Sequence, residues 1–116
     1  MSVAPSTLRV SPDRRTLTIV EATGEEKSLT AEMLRVMSPS AEVQGHSPEQ
    51  RKIIGGKRDI EIRDIQPVGN YAVRIVFSDG HDSGYFTWVY LRTLHEERET
   101  RWSEYLAALE QSGLVR

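Results

Sequence analysis

The sequence predicts an α+β domain, a small antiparallel sheet with helices packed on one face and a helical C-terminal segment. Three observations predict it. Apolar residues alternate with polar ones in short runs through the first two thirds of the chain. Pro, Gly, Asp and Asn gather between those runs. In the last third the spacing of apolar residues changes to that of a helix.

The elements follow in order. Leu8 and Val10 alternate with polar neighbours, SPDRR supplies Pro and Asp for a turn, and TLTIV brings Leu17 and Ile19 onto one face of a second strand. A further turn forms around Gly24. Thr30 then caps a short helix, AEMLRV, with Glu32 in the first turn, where the helix dipole favours an anion. That helix stops before Ser38-Pro39, because a residue preceding proline is pushed away from helical angles. From Ser38 to about Arg58 the pattern dissolves into a Ser-, Pro- and Gly-rich loop, of a length that is usually functional or mobile.

Strand patterning returns with DIEIRDI, which alternates through Ile60 and Ile62 and slips at Asp64-Ile65, as a bulge would make it do. Pro67 is expected to end the pairing. After a VGNY turn, YAVRIVF places Tyr71, Val73, Ile75 and Phe77 on one face and Ala72, Arg74 and Val76 on the other, and is expected to be a central strand. The SDGHDSG turn reverses into a short strand around Tyr85 and Phe86. Thr87 caps WVYLRTL, and Trp102, Tyr105, Leu106 and Leu109 line one side of a second helix that Gly113 terminates.

Composition narrows the function. At 116 residues and 38% hydrophobic content the chain suits one domain, 1–116, with one modest core. A net charge of −2 gives no pull toward polyanions, so no nucleic-acid partner is expected. With no cysteine there are no disulfides and no thiolate metal ligands. The start lacks the basic and apolar regions of a secretory signal, and no apolar run approaches the ~20 residues that cross a bilayer. These features lead us to expect a cytoplasmic monomer without a membrane partner.

LRVMSPSAEVQGH together with IQPVGNYAVRIVFSDGHDSGYFTWVYL resembles the domain family named after the N-terminal part of gamma-butyrobetaine hydroxylase, which also occurs alone in bacterial proteins of unknown function. The resemblance runs from Leu8 into the last helix. It implies an accessory domain, since related domains accompany a separate catalytic domain in the hydroxylase and in fusions to Mrp-type P-loop ATPases of iron–sulfur assembly. It also implies a structural zinc, held in the hydroxylase branch by a Cys-Pro-Cys-x-x-Cys arrangement and one downstream histidine. The matching positions are Ser38, Ser40, Val43 and His81. Hydroxyls stay protonated near neutral pH and valine offers no donor, so the inherited zinc site is not expected to form and no cofactor is expected.

Ser38 or Ser40 can instead hydrogen-bond His81 directly, or the serines can simply cap and turn the chain at Pro39. A separate candidate metal site joins His46, Asp79 and His81, with Asp82 nearby, if the long loop folds over the SDGHDS turn. Two imidazoles and a carboxylate suit zinc, iron or nickel. Each residue also has an ordinary role, Asp79 in the turn and the histidines in solvent. Ser38, His81 and Asp82 contain the residue types of a hydrolytic triad, without a nucleophile elbow or an oxyanion-hole motif, so no catalytic residue is assigned. IIGGKRD lacks the GK[ST] of a phosphate loop and reads as a turn.

Between Ser47 and Arg63, Arg51, Lys52, Lys57, Arg58 and Arg63 gather around Ile53 and Ile54 in a segment of little regular structure. This is a candidate surface for a protein partner, or a solvated loop whose isoleucines tuck into the domain. Trp88 and Trp102 suit core packing. The expected function is that of a noncatalytic interaction or accessory domain, serving a metal-dependent or iron–sulfur-related partner. The alternative is a small metal- or ligand-binding protein that uses the His81 turn.

Overall fold

The computed structural model describes residues 3–45 and 52–116. The fold is α+β, with two three-stranded antiparallel sheets where one was expected. The first sheet contains β1 (Thr7–Val10), β2 (Thr16–Val20) and β3 (Glu26–Thr30) in the order β1-β2-β3. The third strand, EKSLT, carries no apolar alternation, and only Leu29 in it is buried. Helix α1 (Ala31–Val36) follows directly, its first turn fixed by the Thr30 hydroxyl accepting the Met33 N–H at 3.1 Å. Within the long loop a further turn of helix, α2 (Ala41–Gln44), starts at Ser40.

The second sheet contains β4 (Ile62–Val68), β5 (Ala72–Phe77) and β6 (Tyr85–Thr87), with β5 in the middle as its alternation requires. Its register shifts between Ile62 and Asp64, one step before the slip visible in the sequence. Pairing does not stop at Pro67, which faces Val73, and continues to Val68 opposite Ala72. Proline is tolerated there because β4 is an edge strand, whose second row of backbone groups has no ladder to complete. Tyr71 lies just before β5 and is exposed, unlike Val73, Ile75 and Phe77.

Arg14 connects the two sheets. It occupies the β1–β2 turn with a left-handed φ of 63°, and from there its guanidinium donates to the carbonyls of Ile62, at 2.6 Å, and of Arg63, at the bulge in β4. Its own carbonyl accepts the Ile62 N–H at 2.8 Å.

Helix α3 (Trp88–Glu96) begins where β6 ends, capped by Thr87, whose hydroxyl accepts the Tyr90 N–H at 3.0 Å. Helix α4 (Arg98–Gln111) buries Tyr105 and Leu109, while Leu106 on the same flank stays 40% exposed. Beyond it Gly113 has φ 69° and the Leu114 N–H returns to the Leu109 carbonyl at 2.9 Å, a left-handed helix stop that glycine allows. The core is shared by both sheets and the helices, with Leu17, Leu34, Ile75, Phe77, Phe86 and Leu91 fully enclosed. Trp88 is buried and donates its indole N–H to the Asn70 carbonyl at 2.9 Å. No helix of the described residues is long and apolar enough to cross a membrane.

Candidate functional site

Two segments far apart in sequence build the site. The first is the chain leaving α1 through Ser38-Pro39-Ser40 into α2. The second is the β5–β6 turn, where Gly80 at φ 90° closes the reversal and the Phe77 N–H donates to the His81 carbonyl at 3.0 Å. The turn carries the His81 ring against the loop, and the ring is almost fully buried.

The hydroxyl of Ser38 lies 2.9 Å from Nε2 of His81 and that of Ser40 lies 3.4 Å from the same atom. On the other side of the ring, Nδ1 is 3.1 Å from a carboxylate oxygen of Glu42, in the first turn of α2. An ionised carboxylate can only accept, so Nδ1 carries the proton, Nε2 is the acceptor and Ser38 donates its hydroxyl proton to it. Ser38 Oγ in turn faces the Ser40 N–H at 3.4 Å, and the Gln44 side-chain amide donates to the Ser38 carbonyl at 2.9 Å. Ser40 occupies the N-cap position of α2 without a side-chain capping bond. Its side chain is directed to the histidine, so the simple capping role does not describe it.

The electrostatics agree with a neutral ring. Burial, assisted by the Arg35 guanidinium, lowers the His81 pKa below its ordinary value, against the opposite pull of Glu42 and Asp79. Asp79 has a different set of contacts. One of its oxygens accepts the His81 backbone N–H at 3.1 Å, and the other meets Arg35 Nε at 2.8 Å and Lys57 Nζ at 2.6 Å. Burial alone would raise the Asp79 carboxyl, but Lys57, the backbone N–H and Arg35 outweigh it and hold it at about 2.

Both oxygens of Asp79 are therefore engaged, and Asp82 pairs with Arg74 at 3.7 Å. Of the metal grouping His46, Asp79 and His81, only Asp79 and His81 fall among the described residues, in the β5–β6 turn, and among the described residues no group of three or more His, Cys, Asp or Glu could hold a metal ion. His46 lies outside the described residues, as does Arg51. The positions matched to the zinc ligands do come together in part, since Ser38 and Ser40 both face His81 and Val43 is buried nearby in α2. They do not fit the ion. Two neutral hydroxyls, one imidazole and an alkyl group supply none of the anionic donors that hold structural zinc.

Ser38, His81 and Glu42 also reproduce the order of a serine–histidine–acid relay, with Glu42 in the place the sequence suggested for Asp82. Burial is the reverse of what that chemistry needs. The Ser38 side chain is wholly enclosed while the Glu42 side chain is 68% exposed, and a Cβ placed on Gly84 would lie 2.3 Å from Ser38 Oγ. A nucleophile has to be open to substrate and its acid partner shielded.

In the candidate docking segment Lys57 is tied to Asp79, Ile53 and Ile54 pack against the core, and Lys52 and Arg58 are exposed with no ion pair among the described residues. Sequence reasoning missed Glu42, Arg35 and Gly84. Only Glu42 had a visible signal, as an acidic residue in the first turn of a helix, and that helix was itself hidden in a loop of turn formers.

The sequence profile described as "Gamma-butyrobetaine hydroxylase-like, N-terminal" matches residues 8–92. The chain belongs to this family. Among solved structures, two NMR solution structures are 38% and 40% identical to this chain, with TM-scores of 0.84 and 0.83. They cover 99% and 100% of this chain, and 86% and 91% of their own. A crystal structure from Acidithiobacillus ferrooxidans, described as a protein with unknown function of the DUF971 family, is 38% identical with a TM-score of 0.65 over 78% of this chain and 91% of its own. No curated protein matches. In this member of the gamma-butyrobetaine hydroxylase-like family, Ser38 and Ser40 are hydrogen-bonded to His81.

Proposed function

We propose that this chain is a noncatalytic interaction or accessory domain, in which the Ser38–His81–Glu42 contact is a structural staple that stands in for zinc. One observation carries the reading: both ring nitrogens of the buried His81 are engaged and the Ser38 hydroxyl is enclosed. The groups with the most chemical potential therefore face inward. Each satisfied bond contributes roughly 1 kcal/mol to holding the loop against the β5–β6 turn, which gives the site a sufficient reason to exist without a substrate. A metal or ligand carrier at the His81 turn would need a free ring nitrogen, and neither is free.

The partner is a protein, and the exposed cations Lys52 and Arg58 form part of the surface that meets it. The family resemblance supports a partner in metal-dependent or iron–sulfur metabolism. Affinity purification from the native cell, with quantitative mass spectrometry of wild type against the double variant Lys52→Glu, Arg58→Glu, tests this. A partner recovered with the wild type and lost with the double variant supports the reading. Recovery of the same proteins with both variants contradicts it.

A further inference from the structure

A second cluster of side chains involves the first turn of α1. A cavity of about 540 Å³ opens between the β3–α1 junction and α4, with Leu29, Met33, Trp102 and Leu106 among its lining residues. Glu32 also lines it, and its carboxylate is almost completely removed from solvent, with 7% of the side chain exposed. This buried anion is paired with Arg116 in a two-bond fork, Nε to one oxygen at 3.1 Å and Nη2 to the other at 2.8 Å. The same guanidinium lies over the Trp102 ring, 5.3 Å from its centroid. A buried carboxylate, an aromatic face and an apolar floor are the parts that recognise a planar cation with a hydrocarbon stem.

The 112–116 segment is positioned by backbone contacts that do not involve the cavity. The Gly56 N–H donates to the Val115 carbonyl at 2.8 Å, and a Cβ on Gly55 would come within 2.5 Å of the same oxygen, so only glycine lets the two strands of chain approach this closely. Arg116 itself is 38% exposed at the cavity mouth. Arg98, also at the rim, donates to the His95 carbonyl at 2.6 Å. If Arg116 swings out, Glu32 is left as an uncompensated buried charge, a state costly enough to favour any cation that fits in its place.

We propose that the Glu32–Trp102 cavity is a binding site for small guanidinium compounds with an apolar body, and that the 112–116 segment is its strap, with Arg116 occupying the site as a tethered ligand. The tether gives Arg116 an effective concentration of the order of millimolar, which a free ligand has to overcome.

The probe is n-butylguanidinium, with the neutral isostere n-butylurea as control, followed by the indole N–H signal of Trp102 and by Tm. In the Arg116→Ala variant, n-butylguanidinium is expected to shift the Trp102 signal saturably at millimolar concentration and to raise Tm. In wild type the response is expected to be at least about twofold weaker, because Arg116 competes for Glu32. In the double variant Glu32→Gln, Arg116→Ala it is expected to vanish. If Arg116→Ala is unfolded, the guanidinium compound is expected to restore its folded spectrum. The proposal is overturned if n-butylurea acts as well as n-butylguanidinium, if folded Arg116→Ala shows no saturable shift, or if unfolded Arg116→Ala is not restored.

Discussion

His81 is the residue on which the site turns, and its protonation state has a measurable consequence. Because its pKa in the folded protein is depressed, the unfolded chain binds the proton more readily, and stability must fall as pH drops through the unfolded value near 6.5. Protonation would also put a hydrogen on Nε2, where Ser38 donates. His95 is depressed by burial and by the Arg98 and Lys27 charges, so it contributes a slope of the same sign. Asp79 titrates far lower, near 2, and leaves this window undisturbed. Chemical denaturation of His81→Asn between about pH 7.5 and pH 5.5 should show a shallower loss of stability than wild type, the difference being at most about 1.4 kcal/mol per pH unit. Identical slopes would mean that the ring titrates normally. The contact between Ser38 and His81 was legible only through the family resemblance, which matches both positions to one zinc site and so implies that they lie close together. The tautomer was not, because Glu42 decides it and no local pattern ties Glu42 to a residue in the β5–β6 turn.

At the scale of elements, the caps were the most readable features. Thr30 and Thr87 each bond the third residue onward, an interaction confined to one helical turn. Strand β5 was equally plain, since a central strand buries one face and shows it by alternation. Strand β3 and helix α2 were hidden for opposite reasons. The first is an edge strand with one deeply buried side chain, and the second is a single turn whose polar sequence resembles a loop. Pro67 misled because its effect depends on whether its strand is central or at an edge, which only the assembled sheet determines. The approach of the chain before β6 to the Ser38 loop has its own test. Gly84 leaves space that a methyl group would take from Ser38 Oγ, so Gly84→Ala should destabilise the domain by about 1–3 kcal/mol in urea unfolding. The chemical-shift changes should centre on Ser38 and His81, and a neutral effect would show that the loop yields without cost.

For the whole molecule, the division into two sheets depends on contacts that no window of sequence contains. Arg14 reaches across 48 residues to the Ile62 carbonyl, and Arg116 crosses 84 to Glu32. Such pairings account for what the sequence could not reveal, namely the second sheet and the cavity under the 112–116 segment. The lack of cysteine does constrain the molecule as a whole, because it leaves neutral polar groups at Ser38 and Ser40, where the family resemblance implies sulfur. The domain is accordingly held together by packing and by hydrogen bonds, with the Ser38–His81 pair bridging its two halves of sequence. A double-mutant cycle of Ser38→Ala and His81→Ala, measured by urea unfolding in the presence of a chelator, addresses that claim most directly. The account predicts a cooperative transition insensitive to the chelator and a coupling energy of about 1 kcal/mol between the two positions. Additive effects of the two substitutions, or unfolding on addition of the chelator alone, would contradict it.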